Sequence, residues 1–299
     1  MPNASVSLEP HSPVLVRGLS RSGGTLLVSI LDAHPEVAMQ YELYPNLLDM
    51  TGEDCSTAGD LAKILGSAKS MREAIRVSPN DRVRTFVRRL PRGGLSHSDL
   101  VQALSLAPES PLDRRTALAV IQGCAAAKAL KKGSRRWGMK CLNGTVEYLE
   151  AFPDAQFIDI VRDGRDVLAS QQNTGAFNPD PRELGRSWAT THRRFADFAN
   201  RSPDRCMLLR YEDLVCDPVS RIRALLEWLG LPDHPDCYRQ HAANLTIHGA
   251  QHLSGERVAS PIDTASVGRW RSEVSPSDLA AFVDEAGAEL VRFGYLTQS

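Results

Sequence analysis

Apolar positions along this chain form short β-branched runs separated by stretches of helical spacing. Val14, Leu15 and Val16 read as a buried strand. Residues 18–25, Gly-Leu-Ser-Arg-Ser-Gly-Gly-Thr, follow as a loop of small residues, and Leu26, Leu27, Ile30 and Leu31 then recur with the period of a helix. Further along, 136–141 reads as a short strand ending at Lys140, 157–161 as a mostly apolar strand, and 206–211 as another. Each is followed by a helix signal. Asn143 can cap a helix carrying Val146, Leu149 and Phe152. Residues 162–170 turn a strand into a helix. Asp180-Pro-Arg-Glu183 offers a cap, a proline at the first helical position and an acid three residues on, and Leu184, Trp188 and Phe195 give that helix an apolar face. Asp217-Pro218 opens a helix that Gly230 ends, and Ser275-Pro-Ser-Asp278 opens the last, which runs to about Phe293.

Strands alternating with helices predict an α/β fold with a P-loop-like central parallel sheet flanked by helices. Ligands in such sheets sit beyond the carboxyl ends of the strands. The loops after 13–17, 137–140, 157–161 and 208–210 should therefore face one crevice. Residues 43–60 read as loop. From 61 to 130 the pattern is helical and broken by turns, with short helices expected over 61–65, 71–77 and 83–90 and a capping box at Ser96-His-Ser-Asp99. This makes 45–135 a mostly helical insertion within a single α/β domain spanning 1–299.

Composition narrows the class. An apolar content of 42% and a charged content of 24% are ordinary for a globular protein, and no apolar run approaches the ~18 residues of a membrane span. The first 13 residues have neither a basic nor an apolar signal region, so a cytoplasmic chain is expected. Six cysteines include no C-x-x-C pair, which favours reduced, buried thiols. His248 and His252 are four apart with no third ligand in view, so no metal is expected. The net charge of −1 conceals a gradient: residues 61–137 carry 16 basic and 5 acidic side chains, a net of +11. Such a block is either a solvated helical surface or a field that draws in an anion. Nothing suggests a nucleic-acid partner, and oligomeric state leaves no mark.

Strand, glycine-rich loop and helix is a geometry that binds phosphate, because loop N–H groups and the helix dipole point at the anion. Gly18, Gly23 and Thr25 fall in register with the P-loop pattern G-x-x-x-x-G-K-[ST], but Gly24 stands where the lysine belongs and the cation is Arg21. Without that lysine, reach to a terminal phosphate is lost. Arg162 and Ser170, eight residues apart at a strand end, suit a second phosphate. The competing reading is a surface cluster in which Asp163, Arg165 and Asp166 neutralise one another.

The run Arg21-Ser22-Gly23-x-Thr25-Leu26 after a strand resembles the 5′-phosphosulfate loop of sulfotransferases that use 3′-phosphoadenosine 5′-phosphosulfate (PAPS), with Gly24 where that family usually has threonine. Residues 161–170, VRDGRDVLAS, resemble its 3′-phosphate site. The motif spacing follows the protein-tyrosine sulfotransferase-like branch, which adds an arginine where this chain has Thr174. The resemblance covers 13–42, 137–171, 206–230 and 254–271. It implies Glu42 as general base, after a matching Leu-Asp-Ala-His-Pro run, with His34 as a rival. It implies Lys140 and Ser254 as charge stabilisers. For the nucleotide it implies Arg21, Ser22, Gly23, Gly24, Thr25, Leu26, Arg162, Ser170, Tyr211 and Arg269, with Ser260 in place of a further lysine. The expected activity is sulfuryl transfer from PAPS, without metal, to a hydroxyl of an acceptor, by preference a small molecule. Two alternatives stay open: a kinase-like P-loop phosphotransferase, for which Asp159 is a candidate Mg²⁺ acid, and a non-catalytic nucleotide-binding scaffold.

Overall fold

The strand at residues 14–17 sits in the middle of the sheet, three apolar residues followed by an arginine that pairs with Asp159. β1 (Val14–Arg17) is buried along its whole length. The computed structural model describes residues 13–51, 55, 57–141, 148, 151–242 and 258–297. Five strands, β1, β2 (Val37–Gln40), β3 (Arg136–Lys140), β4 (Gln156–Val161) and β5 (Cys206–Arg210), form one sheet in the order β2-β3-β1-β4-β5. Every pairing is parallel, and the register sets Val16 beside Lys140 on one side and Ile158 on the other. The expected α/β sheet is therefore present. β2 is an addition: Val-Ala-Met-Gln is only four residues long and directly follows a His-Pro turn, so it carries little pattern of its own.

α1 (Gly24–Ala33) follows β1 through the glycine-rich loop. The insertion supplies α2 (Ala58–Gly66), α3 (Met71–Val77), α4 (Asp81–Arg89), α5 (His97–Leu104) and α6 (Arg114–Lys132). Each begins at a side-chain cap, from Thr57, Ser70, Asn80, Ser96 and Asp113, and the capping box at Ser96 and Asp99 is complete. The apolar faces of these helices bury against one face of the sheet, in a cluster that includes Leu15, Ala38, Trp137 and Met139. After β4 come α7 (Gly164–Gln172) and α8 (Pro181–Ala199). Beyond β5 the strand stops at Arg210, and Tyr211, expected to close it, instead opens the short α9 (Tyr211–Cys216). α10 (Pro218–Trp228), α11 (Trp270–Glu273) and α12 (Pro276–Arg292) complete the described helices. The helix expected from Asn143 starts outside the described residues. No described helix is long and apolar enough to cross a membrane.

The turn from α1 into β2 is pinned by two lysines of α6. Lys128 reaches both oxygens of Asp32 at 3.0 Å, while Asp32 also accepts the Met39 N–H at 2.8 Å. Lys132 donates to the carbonyls of Asp32, His34 and Val37. A buried ammonium group such as that of Lys128 needs such full partnering. The result is a rigid base for the residues just after β2, where Glu42 lies.

Candidate active site

Beyond the carboxyl ends of the strands lies a cavity of about 670 Å³. Its lining includes Arg21, Gly23, Gly24, Thr25, Leu26, Glu42, Lys140, Arg162, Ser170, Tyr211 and Arg269. Of the other residues singled out above, Ser22 lies behind the loop, its Oγ buried and without a hydrogen-bond partner among the described residues. Ser254, His248 and His252 fall outside the described residues.

At one end the loop and the start of α7 are knitted together. Arg21, in the left-handed region at φ 77°, donates from Nε to Ser170 Oγ at 3.0 Å. Arg162 donates to the Arg21 carbonyl at 3.0 Å and to the Ser266 carbonyl, and its guanidinium lies 5.0 Å from the centre of the Tyr211 ring. That ring packs against the loop so closely that a Cβ on Gly23 would stand 2.4 Å from it, and Gly23 also has φ 95°. Only glycine fits there. Arg269 completes a trio of arginines, held by Glu273 at 2.7 Å. Burial, then the charges of Arg162 and Arg269, push the Arg21 guanidinium below its ordinary proton affinity. Cations gathered this way attract an anion. α1 adds to this, since Gly23 gives it no side-chain cap and leaves first-turn N–H groups for a ligand.

The surface-cluster reading of 162–166 describes only part of it. Asp163 and Arg165 do pair, at 2.7 Å, with Arg165 stacked 4.0 Å from Trp270. Asp166 instead accepts the N–H groups of Gly268 at 2.7 Å and Trp270 at 3.0 Å, tying the C-terminal segment over the cavity. Burial raises its carboxyl above the usual range. Arg162 remains turned to the loop, only 5% exposed, with Nε unpartnered among the described residues.

At the other end Lys140, at the tip of β3, sits between two elements. Its Nζ donates to Glu42 Oε1 at 2.9 Å and lies 3.5 Å from Thr25 Oγ1. Thr25 Oγ1 in turn meets the Tyr41 hydroxyl at 3.2 Å, and the Lys140 ammonium rests 5.1 Å from the Tyr41 ring centre. Gly24 makes room for this: a Cβ there would come 3.1 Å from Lys140 Cε. Glu42 itself has φ 49°, left-handed backbone on a non-glycine residue. Burial and the Glu42 carboxylate push the phenols of Tyr41 and Tyr44 well above their usual range, so both stay protonated.

Arg89 and Arg92 of the basic block also line the cavity, and the sequence singled out neither as a partner of Glu42. No spacing rule could have found Arg89, because it meets Glu42 from 47 residues away. The basic block divides here. Arg84 and Arg88, with Arg72 and Arg76, line a separate depression on the α3–α4 surface, whereas Arg89 and Arg92 face the crevice.

Two candidates drop out. His34 is buried; its Nδ1 accepts the Glu36 N–H at 3.1 Å, which leaves the ring proton on Nε2 to donate to the Pro232 carbonyl at 2.9 Å. It serves the α1–β2 corner and does not line the cavity. Asp159 lies in mid-strand beside Arg17, fully buried, 3.4 Å from the Arg17 guanidinium and 2.7 Å from His192 Nδ1. It faces α8 and not the crevice, so it cannot serve as a Mg²⁺ acid there.

The sequence model of the Sulfotransferase family matches residues 13–236. Protein-tyrosine sulfotransferase A of Caenorhabditis elegans is 24% identical over 293 residues, covering 94% of this chain and 67% of that protein. The protein-tyrosine sulfotransferase of Drosophila melanogaster is 24% identical over 298 residues, covering 94% of this chain and 51% of that protein. The chain thus spans about half to two thirds of the length of these two relatives. Among solved structures, the sulfotransferase domain of the Synechococcus PCC 7002 olefin synthase superposes with a TM-score of 0.57 at 22% identity, covering 96% of each chain. A sulfotransferase domain from the curacin biosynthetic pathway gives 0.54 at 17% identity, covering 92% of this chain and 98% of that one. These share the fold. The matched residues run through all five strands, the glycine-rich loop, Glu42, Lys140 and the Arg162–Ser170 pair, and the chain belongs to the sulfotransferase family.

Proposed function

We propose that this chain transfers a sulfuryl group from PAPS to the hydroxyl of an acceptor, with Glu42 as general base. The observation that carries the reading is the position of Lys140, within reach of the phosphate-type loop at Thr25 and of the Glu42 carboxylate at once. The residues present fit the donor. Arg162 has a buried Nε without a hydrogen-bond partner among the described residues, three arginines converge, and the first turn of α1 has no side-chain cap. Bound PAPS supplies an activated sulfuryl group joined to phosphate through an anhydride oxygen. Arg21 and the N–H groups of 23–26 hold the 5′-phosphosulfate, while Ser22, behind the loop, does not reach it. Arg162 and Ser170 hold the 3′-phosphate, with Tyr211 beneath and Arg269 at the rim.

A carboxylate oxygen held in a close ion pair is a poor proton acceptor. Lys140 resolves this because Thr25 gives it a second position: drawn to the charge that develops on the departing phosphate oxygen, it leaves Oε1 of Glu42. Glu42 then takes the proton of the acceptor hydroxyl as that oxygen bonds to sulfur. Ser254, by its place in the sequence, joins Lys140 in stabilising that charge.

The cavity lining also includes the apolar surfaces of Tyr44, Phe177 and Ile262, which suit a hydroxyl on an apolar body. A small molecule answers that description, and so does the tyrosine side chain for which the relatives are named. Six free thiols accord with a reducing, cytoplasmic setting.

The test is transfer of radiolabel from [³⁵S]PAPS to 4-nitrophenol, aliphatic alcohols and a tyrosyl peptide, alongside the affinities for 3′,5′-adenosine diphosphate and 5′-AMP. Labelled product together with a preference for the diphosphate supports the proposal. Equal affinities, or turnover of ATP with Mg²⁺, would return the phosphotransferase reading. Preference for the diphosphate without any labelled product would favour the scaffold.

A further inference from the structure

The helical insertion has no part in the donor site, yet one of its residues holds Glu42. Arg89 is the last residue of α4. Its Nη1 donates to the Glu42 backbone carbonyl at 3.1 Å and approaches Glu42 Oε2 at 3.4 Å. Its guanidinium lies 4.7 Å from the centre of the Tyr44 ring, which fixes its plane. One side chain thus grips both ends of a residue whose backbone is in the left-handed region, at φ 49°. Such a conformation costs roughly 1–3 kcal/mol and persists only where its surroundings impose it.

The two cations at Glu42 are not equivalent. Lys140 contacts Oε1 and has Thr25 as a second partner, so its hold is transferable. Arg89 contacts Oε2 and the main chain of the same residue and does not line the loop. When Lys140 moves to the donor, Arg89 still orients the carboxylate through Oε2 and the main chain, leaving Oε1 to take the proton.

We propose that Arg89 is a positioning residue for Glu42, making the helical insertion part of the catalytic apparatus. The inference rests on the reading of Glu42 as the base. Groups that face Glu42 include Lys140 from β3, Arg89 from α4, and the phenols of Tyr41 and Tyr44 from its own segment. The phenols remain neutral over the working range, whereas the two cations place positive charge directly at its carboxylate.

The experiment is a ¹³C NMR titration of the Glu42 carboxyl in the full chain labelled with [δ-¹³C]glutamate, with Glu42→Gln assigning the resonance. Arg89→Ala, Arg89→Gln and Arg89→Lys are compared with the parent, and near-ultraviolet circular dichroism confirms that each is folded. Removing the guanidinium should raise the pH at which Glu42 titrates by about one unit or more in the Ala and Gln variants, and by less in Arg89→Lys. Transfer to 4-nitrophenol or the tyrosyl peptide should fall by up to about 10²-fold in kcat with the KM for PAPS unchanged. A Glu42 titration that is the same in Arg89→Gln and the parent overturns the proposal. So does a rise in the KM for PAPS equal to the loss in rate. If Glu42→Gln retains full turnover, the reading of Glu42 as base fails instead, and the titration still reports whether Arg89 governs that carboxylate.

Discussion

The two ends of the crevice are built in opposite ways. The donor end is built from two local motifs, a strand, loop and helix within residues 14–33 and the Arg162–Ser170 pair at the end of β4, which the fold brings together with Tyr211 and Arg269. Its geometry follows from main-chain features, a tight loop and the end of a helix, which only a few sequences can make. The acceptor end is assembled from afar. Glu42 follows β2, Lys140 ends β3 and Arg89 ends α4, and their side chains meet only because the sheet and the insertion bring three segments together. Each anion-binding motif can thus be encoded locally, whereas orienting a reactive carboxylate depends on single residues that only the tertiary structure brings together.

Substitutions can sharpen this contrast. The largest effect should come from the acceptor end. Glu42→Gln is expected to lower kcat by ~10²–10⁴-fold while leaving the affinity for 3′,5′-adenosine diphosphate intact, measured by single-turnover transfer and calorimetry. Near-normal turnover would dissolve the distinction between the two ends. Next comes the donor end. Arg162→Ala should remove the preference for 3′,5′-adenosine diphosphate over 5′-AMP, worth about 1.5–3 kcal/mol, or about 10- to 150-fold in relative affinity. An unchanged ratio in a binding titration would move the 3′-phosphate elsewhere.

A smaller effect should arise where the ends touch. Gly24→Thr restores the residue usual in the family but sets a Cβ 3.1 Å from Lys140 Cε, so the lysine must yield by a few tenths of an ångström. Its side chain is flexible, and a loss of about 1 kcal/mol in transfer rate is expected with nucleotide affinity preserved. A faster enzyme would show that Lys140 is better placed elsewhere. The smallest effect is electrostatic. Arg92→Gln should flatten the dependence of kcat/KM on ionic strength, whereas Arg88→Gln, on the separate depression, should leave it as it is. Equal slopes in both variants would make the whole block a solvated surface.

The same contrast explains what could be read from the sequence. β1, α1, β3, β4 and α8 each announce themselves through a run or a cap, and the structure has all of them. Arg162 and Ser170, eight residues apart in one local motif, both line the crevice. β2 escaped because four residues are too few to establish a period, and its tenants are set by the neighbouring β3. Asp159 looked available because a sequence does not reveal which face of a strand a lone acid takes. The pairing of Arg17 with Asp159 across β1 and β4 decided it. Arg89 was one arginine among many in a basic block, and only the packing of α4 distinguishes it from Arg88.

The strand order has a consequence for how the chain reaches its folded state. β1 and β2 are made early but are not neighbours; β3 must slot between them after the whole insertion has been synthesised. Until then each of the two exposes an unpaired edge. The Glu42–Lys140 contact, 98 residues apart along the chain, closes when β3 is seated. Pairings this distant in sequence slow folding, since loop closure precedes any gain from them. On a ribosome, the carboxylate and its lysine partner come together only with closure of the sheet, so a nascent chain arrested before residue 140 would hold its anion loop without the two strands that flank β1.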